Sequence, residues 1–302
     1  MTENLPESAR PLGSTIASYI ELSKPSITAM NLLMAVGGMA FAQHAQSVDR
    51  SFDPLDLALL GLGSTLIVSS ANAMNQVLER EGDALMMRTA ARPLPSQRLT
   101  PTQAFVFSVV LGLASLALLA GLNLLTLSIG AIAWLVYVLV YTPMKRSAPI
   151  SLTVGALAGA APPLMGWTAV TNSVGLGGIL LFAVLTVWQL PHFLAISLFR
   201  QQDYERAGIR TVPVVRGEAV AKAQAVAWCA ILLPLSLALV YEGMAGLFYG
   251  AAALLLGLWF LSSSLQGFRR EPKPGWAKRF FLVSLAYLPL LTFALCIDVA
   301  LL

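Results

Sequence analysis

The chain has 302 residues, 57% of them hydrophobic and 11% charged, with a formal net charge of +4 and a mean hydropathy of +0.74. A soluble domain carries about 25% charged residues, so the composition excludes a molecule whose surface mostly faces water. The only cysteines, Cys229 and Cys296, sit inside apolar runs, which leaves no disulfide framework and no cysteine-based metal site.

In chain order, the first fifteen residues are polar and carry Glu3 and Glu7 against Arg10. They lack the basic start and apolar core of a signal peptide and the Arg-rich, acid-poor character of a transit peptide. Residues 1–15 are therefore expected to form a solvated tail on a bacterial-type protein, and residues 16–302 a single transmembrane domain. Nine apolar runs follow, near 26–43, 55–77, 102–122, 124–142, 150–171, 175–199, 218–240, 244–264 and 280–301. Each is close to the ~20 residues that span a bilayer as a helix. Helices are preferred to strands because a spanning segment in lipid must satisfy its own backbone polar groups. The least certain boundaries are at Leu122–Asn123 and at the polar starts of the second and seventh runs. The expected fold is thus an all-α polytopic membrane protein with about nine spans. Nine spans place eighteen of the nineteen Lys and Arg residues on the side of the N-terminus and leave only Arg50 opposite. By the positive-inside rule the N-terminus is cytoplasmic and the C-terminus extracytoplasmic.

Polar residues cluster in three places. In the first cluster, Asn75, Glu79 and Asp83 recur every four residues and share one helical face. Two carboxylates and an amide on one stripe suit Mg²⁺, which takes oxygen ligands and shares them with substrate phosphates. Arg88 and Arg92 follow, with guanidinium groups that match phosphate oxygens, and Pro93 and Pro95 stop any helix. The plainer reading is a solvated loop with ordinary positive-inside charge, but the ordered set favours a diphosphate site. The second cluster lies between residues 188 and 215. His192 occupies a strongly apolar helix, and eleven residues later Asp203 would return to the same face if the helix were continuous. Ionisable groups at membrane helices are functional candidates by default, against the alternatives of a hydrogen-bonded core histidine and a surface acid. Tyr204 reads as a site residue or as an interfacial anchor. In the third, Lys145 and Arg146 extend phosphate binding or enforce topology, and Gly155, Ala156, Gly159 and Ala160 permit close helix packing before Pro162 and Pro163 break the helix. Lys24 is a topology charge or a further phosphate ligand. The loops after the second and sixth runs are both long and basic, a loose echo of duplicated halves.

Several of these segments look familiar. The run N-x-x-x-E-x-x-x-D at Asn75, Glu79 and Asp83, with R-T at Arg88–Thr89 and R-P-L-P at Arg92–Pro95, resembles the first signature of the heme farnesyltransferases, a group of UbiA-type intramembrane prenyltransferases. W-Q-L-P-H-F at Trp188–Phe193, then D-Y at Asp203–Tyr204 and P-V-V at Pro213–Val215, resembles the second. M-K-R at Met144–Arg146 and A-G-A-A-P-P at Ala158–Pro163 also match. The resemblance implies helices around a central cavity, capped at its cytoplasmic mouth by polar loops. It implies transfer of a farnesyl group from farnesyl diphosphate to a vinyl group of heme b, with water added and diphosphate released, to give heme O. Asn75, Glu79, Asp83 and Asp203 would serve Mg²⁺. Arg88, Arg92, Lys145, Arg146, Lys24 and Tyr204 would face the diphosphate, and His192 the heme. The implied setting is the bacterial inner membrane, with heme A synthase or terminal oxidase assembly proteins as partners and no nucleic acid. The sequence departs from the pattern at Glu79, where many members have Asp, and at Gln202 and Ser26, where cations are common. Ala207 stands where quinone-pathway relatives carry a second acid. A UbiA-type transferase with an aromatic or quinone-type acceptor, a transporter and a non-catalytic oxidase assembly factor are the competing readings.

Overall fold

The helix starts are written in short polar side chains and prolines. In a computed structural model that describes residues 12–45, 53–269 and 275–301, Asp53 accepts the Leu55 amide at 2.8 Å. Pro54 then opens α3 (Pro54–Ala84). Thr100 and Gln103 form a reciprocal capping box ahead of Pro101, the first residue of α4 (Pro101–Ala120). Asn123 caps α5 (Leu124–Leu135) through the Thr126 amide and donates to the Thr168 carbonyl, which fixes the boundary left uncertain by hydropathy. Each such cap satisfies amides that a helix end leaves without partners.

Two helices precede α3: α1 (Leu12–Leu22) and α2 (Pro25–Ala45). The tail read as solvated therefore turns helical at Leu12, and its residues 1–11 lie outside the described part. After α5 the chain runs through a π-helical turn, Val136–Tyr141, into α6 (Thr142–Met144). The fifth predicted run is two helices, α7 (Ser151–Gly159) and α8 (Ala161–Thr171), which meet at Ala160 just before Pro162 and Pro163. Then come α9 (Leu176–Phe199), α10 (Gln201–Arg206), α11 (Val212–Arg216), α12 (Glu218–Tyr241), α13 (Leu247–Leu265), a 3₁₀ turn Gln266–Phe268 and α14 (Trp276–Leu301). Among the described residues eight helical stretches are long and apolar enough to cross a membrane. The α7–α8 pair, on the fifth predicted run, accounts for the remaining one of the nine.

The core follows from which faces are apolar on both sides. α9 is the most buried span and α5 the least. Large residues such as Phe105, Val110, Leu113, Leu255 and Leu258 remain exposed on α4 and α13, as lipid-facing positions should. α2 and α8 touch through their backbones: a Cβ on Gly38 would fall on the Pro163 carbonyl, and one on Gly166 on the Ala35 carbonyl. Small residues let membrane helices approach this closely. α3 and α4 are joined by serine hydroxyls. Ser70 donates to the Ser108 carbonyl and Ser108 to the Ser70 carbonyl, at 2.7 and 2.8 Å, and Ser115 donates to the Gly63 carbonyl at 2.7 Å. Such bonds contribute roughly 0.6–2 kcal/mol each in membranes. At the opposite end of the molecule from Lys24, the buried carboxylate of Asp298 accepts the Gly246 and Tyr249 amides and so ties α14 to the start of α13.

Candidate active site

α3 has 31 residues, about 46 Å of helix, against ~30 Å of bilayer hydrocarbon. Its last turns must therefore stand at the membrane edge, and they carry Asn75, Glu79 and Asp83. These three residues line a cavity of about 500 Å³ that runs between α2, α3, α5, α7, α8, α9 and α14. Along α3 the cavity wall changes from Ile67 and Val68 to Asn72, Asn75, Glu79 and Asp83, over roughly 24 Å. One end is thus polar and the other apolar. The loops after α3 and α9 close over the polar end with Met86, Arg88, Arg92, Tyr204, Ile209 and Thr211.

Each polar group of the stripe faces a partner. Lys24 donates to Asn75 Oδ1 at 3.2 Å, and Asn75 Nδ2 donates to Thr142 Oγ1 at 3.1 Å. Lys145 Nζ lies 2.8 Å from Glu79 Oε1, and Arg92 Nη1 lies 2.7 Å from Asp83 Oδ2. Thr89 Oγ1 donates to the Asp83 carbonyl at 2.8 Å, which folds the following loop back over the mouth. Lys24 sits at φ +49°, a left-handed conformation uncommon for a non-glycine residue. There its carbonyl receives the first amides of α2. Burial, with Arg92 and Lys145 nearby, draws the Lys24 ammonium down to about 7 against the opposing pull of Glu79 and Asp83. Burial works against charge on Lys145 as well, but Tyr141 and Glu79 outweigh it and hold its ammonium above the usual range. Burial raises the Tyr204 phenol, partly offset by Arg88 and Lys145. The mouth thus sets Lys24, Arg88, Arg92 and Lys145 against two carboxylates, an excess of cations suited to a polyanion.

The deeper part is built on α9. His192 Nδ1 lies 2.7 Å from Ser284 Oγ of α14. Its ring stacks on Trp188 at 4.8 Å and 22°, and the Trp188 indole donates to the Ser284 carbonyl at 3.0 Å. Gln189 lies on the same wall and donates to the Ala156 and Leu185 carbonyls.

Two expected placements are different. The helix carrying His192 is not continuous: the chain turns at Arg200, with φ −115° and ψ 19°, before α10 begins. The face expected to be shared by His192 and Asp203 is therefore lost. His192 lines the cavity and Asp203 does not; its carboxylate instead meets Arg206 at 2.5 Å and Arg200 at 3.7 Å. Arg146 is likewise absent from the wall, and its guanidinium lies against Gly82. Arg88, Arg92, Lys145, Lys24 and Tyr204 all line the cavity with the acidic stripe. Among the described residues no three acidic, histidine or cysteine side chains converge as a metal cage. Asn75, Glu79 and Asp83 nevertheless present oxygens along one wall, a donor set that suits Mg²⁺ when substrate phosphate supplies further ligands.

The UbiA prenyltransferase family matches residues 31–285. A Myxococcus xanthus protein named protoheme IX farnesyltransferase is 43% identical over 292 residues, covering 96% of this chain and 97% of its own. The chain belongs to the UbiA prenyltransferase family, in its protoheme IX farnesyltransferase branch. A Sorangium cellulosum relative of the same name is 47% identical over 246 residues, covering 81% of this chain and 88% of its own. Protoheme IX farnesyltransferase 1 of Bacillus subtilis is 36% identical over 290 residues, covering 94% and 91%. The fold is similar to that of a solved digeranylgeranylglyceryl phosphate synthase, with a TM-score of 0.76, 18% identity and coverage of 95% of this chain and 99% of that one. It is also similar to a UbiA homolog from Archaeoglobus fulgidus bound to GPP and Mg²⁺, with a TM-score of 0.69, 16% identity and coverage of 92% and 99%. These two likenesses concern the fold alone.

Within this UbiA architecture the wall also holds residues not picked out from the sequence. Tyr137 and Tyr141 lie on the π-helical turn, the latter with Lys145 4.5 Å above its ring. Single π-turns are frequent at functional sites, and the tyrosine pair four residues apart just before Lys145 is the one sequence signal that could have found it. Ser284 and Thr142 carry no such signal; only packing brings them to the site.

Proposed function

We propose that the chain transfers the farnesyl group of farnesyl diphosphate to a vinyl group of heme b, adds water and releases diphosphate, forming heme O. The observation that carries this reading is the polarity of one cavity. A mouth of paired acids and surplus cations leads directly into an apolar chamber onto which a single histidine opens. Kinship with proteins named protoheme IX farnesyltransferase supplies the acceptor.

Ionisation of an allylic diphosphate places negative charge on the leaving group, and stabilising that developing charge is the largest task of such a site. Asn75, Glu79 and Asp83 would hold Mg²⁺ against the diphosphate, and the ion would supply Lewis-acid stabilisation of the leaving group. In the structure the carboxylates of Glu79 and Asp83 face Lys145 and Arg92. Lys145 and Arg92 would be free to face the diphosphate if the carboxylates held a cation, joined by Arg88 and Lys24 on the same wall. Tyr204 closes the mouth beside them. Arg146 supports α3 from behind at Gly82, and Asp203 anchors Arg200 and Arg206 at the edge of the mouth, each one step removed from the phosphate. The apolar chamber keeps water from the allylic cation until the vinyl carbon has reacted. The mouth faces the cytoplasm of a bacterial plasma membrane. The product would pass within that membrane to a heme A synthase or to oxidase assembly proteins.

The test uses membranes containing the chain, supplied with heme b, farnesyl diphosphate and Mg²⁺, with extracted hemes weighed by mass spectrometry. Heme that gains one farnesyl group and one water is expected. It should be lost on chelation and reduced at least a hundredfold in Asp83→Ala. Farnesylation of an aromatic acceptor in place of heme would overturn the assignment.

A further inference from the structure

We infer that His192 recognises heme through its iron, with Nε2 as an axial ligand; this rests on heme being the acceptor. The argument begins with one proton. The Ser284 hydroxyl donates to the Phe281 carbonyl at 2.6 Å, so its hydrogen is committed there. Its oxygen can then only accept from His192 Nδ1, 2.7 Å away. In a neutral imidazole one nitrogen carries hydrogen and the other a lone pair. Nδ1 carries the hydrogen here, and the lone pair lies on Nε2. Among the described residues nothing hydrogen-bonds to Nε2, and His192 belongs to the cavity wall.

The ring is also held in one orientation. Trp188 stacks on it, Phe281 lies 5.1 Å and Phe193 5.8 Å away, and the Trp188 indole is itself fixed by the Ser284 carbonyl. A metal-binding histidine characteristically donates its other ring N–H to a second group, which sets the tautomer and aims the lone pair. Ser284 is that group. Proximal histidine is a standard ligand of heme iron. The hydrogen-bond partner of His192 is a neutral hydroxyl and not a carboxylate, so the ring lacks the orienting acid of a proton-transferring pair. A histidine that merely filled the core would have no reason to leave its lone pair facing an apolar chamber. On binding, the iron accepts the Nε2 lone pair and gives up water or fills an open position. Nδ1 keeps its hydrogen, and no electron changes hands. The ligand would fix the iron at the level of α9 and so set where the vinyl groups lie relative to the mouth.

The experiment titrates the full chain in nanodiscs, without farnesyl diphosphate, with iron protoporphyrin IX and separately with metal-free protoporphyrin IX. The wild type is expected to give the absorption and electron paramagnetic resonance signature of histidine-ligated heme. His192→Ala is expected to lose that signature and at least tenfold in affinity for the iron porphyrin, while affinity for the metal-free ring stays within twofold. Added imidazole should restore the signature in His192→Ala, and binding of the metal-free ring shows that the variant is folded. An unchanged spectrum and unchanged iron-porphyrin affinity in His192→Ala would overturn the iron ligand while leaving heme as the acceptor. Binding of neither porphyrin to the wild type would overturn the heme reading itself, and the ligand with it.

Discussion

Glu79 and Lys145 lie 2.8 Å apart with under a fifth of either side chain exposed, so each is the main partner the other has. Removing one member of a wholly buried pair costs about 3–5 kcal/mol because the remaining charge stays unpaired. For a pair on a cavity wall the loss should be nearer 1–3 kcal/mol, by the same reasoning with partial screening. Glu79→Gln and Lys145→Met should therefore each lower the thermal unfolding midpoint, and the double variant should recover most of the loss. None of the three should recover heme farnesylation, since both groups are assigned to the metal and the diphosphate. A double-mutant cycle read by unfolding and by turnover separates the two roles. If the double variant is no more stable than the singles, the pair is not what holds this wall. At this scale the sequence was legible where spacing alone decides position: the four-residue rhythm of Asn75, Glu79 and Asp83 places all three on the cavity. It was not legible where position depends on a turn. One break at Arg200 rotates Asp203 away from the wall, and no periodicity announces it. The choice of partner was hidden for the same reason: Ser284 meets His192 across ninety-two residues.

α7, α8 and α9 show how elements position these residues. The small residues of α7 permit close helix packing, and the structure shows what they make room for. Gly155 faces the Tyr141 ring, and Gly159 faces the Gln189 amide so closely that a Cβ would land on its oxygen. Gln189 is held there by bonds to Ala156 and Leu185 carbonyls, so it has little freedom to move aside. Gly159→Ala should cost about 1–3 kcal/mol, as overpacking usually does, and should reduce turnover about tenfold by shifting α9 where it carries Trp188 and His192. Adding Gln189→Ala removes the clash and should restore the unfolding midpoint. A Gly159→Ala protein as stable and as active as its parent would show that α7 and α9 have slack between them. The long apolar runs announced the spans because about twenty apolar residues in succession serve little else. Hydropathy alone does not divide the fifth run, since both halves are equally apolar; Pro162 and Pro163 announce the break, which falls at Ala160. Hydropathy also misses α1, whose last turn is received by Gln76 through the Leu22 carbonyl.

For the molecule as a whole, the placement of charge sets orientation. Eighteen of nineteen cations fall on one side in a nine-span arrangement, but four of them, Lys24, Arg88, Arg92 and Lys145, line the cavity and serve the site as well. Setting those four aside leaves fourteen against Arg50 alone, so the bias does not depend on the site's own chemistry. Lys and Arg close to membrane spans are retained in the cytoplasm. The orientation proposed from this bias opens the mouth, formed where α2 begins and α3 and α9 end, to that compartment. The test replaces Cys229 and Cys296 by alanine and introduces one cysteine at a time, at Gln97 in the exposed loop after α3 or at Glu242 in the exposed turn after α12. A membrane-impermeant maleimide should label Glu242→Cys in intact cells and Gln97→Cys only after the membrane is opened. The reverse pattern would put the phosphate site outside the cell, where the fourteen remaining cations would contradict the rule that orients them. Labelling of both from one side would mean an even number of crossings between them in place of the five expected from α4 to α12. Because Gln97 and Glu242 are separated by α4, α5, the α7–α8 pair, α9 and α12, five crossings, opposite labelling is also the direct check that the broken helix at Ala160 spans the membrane.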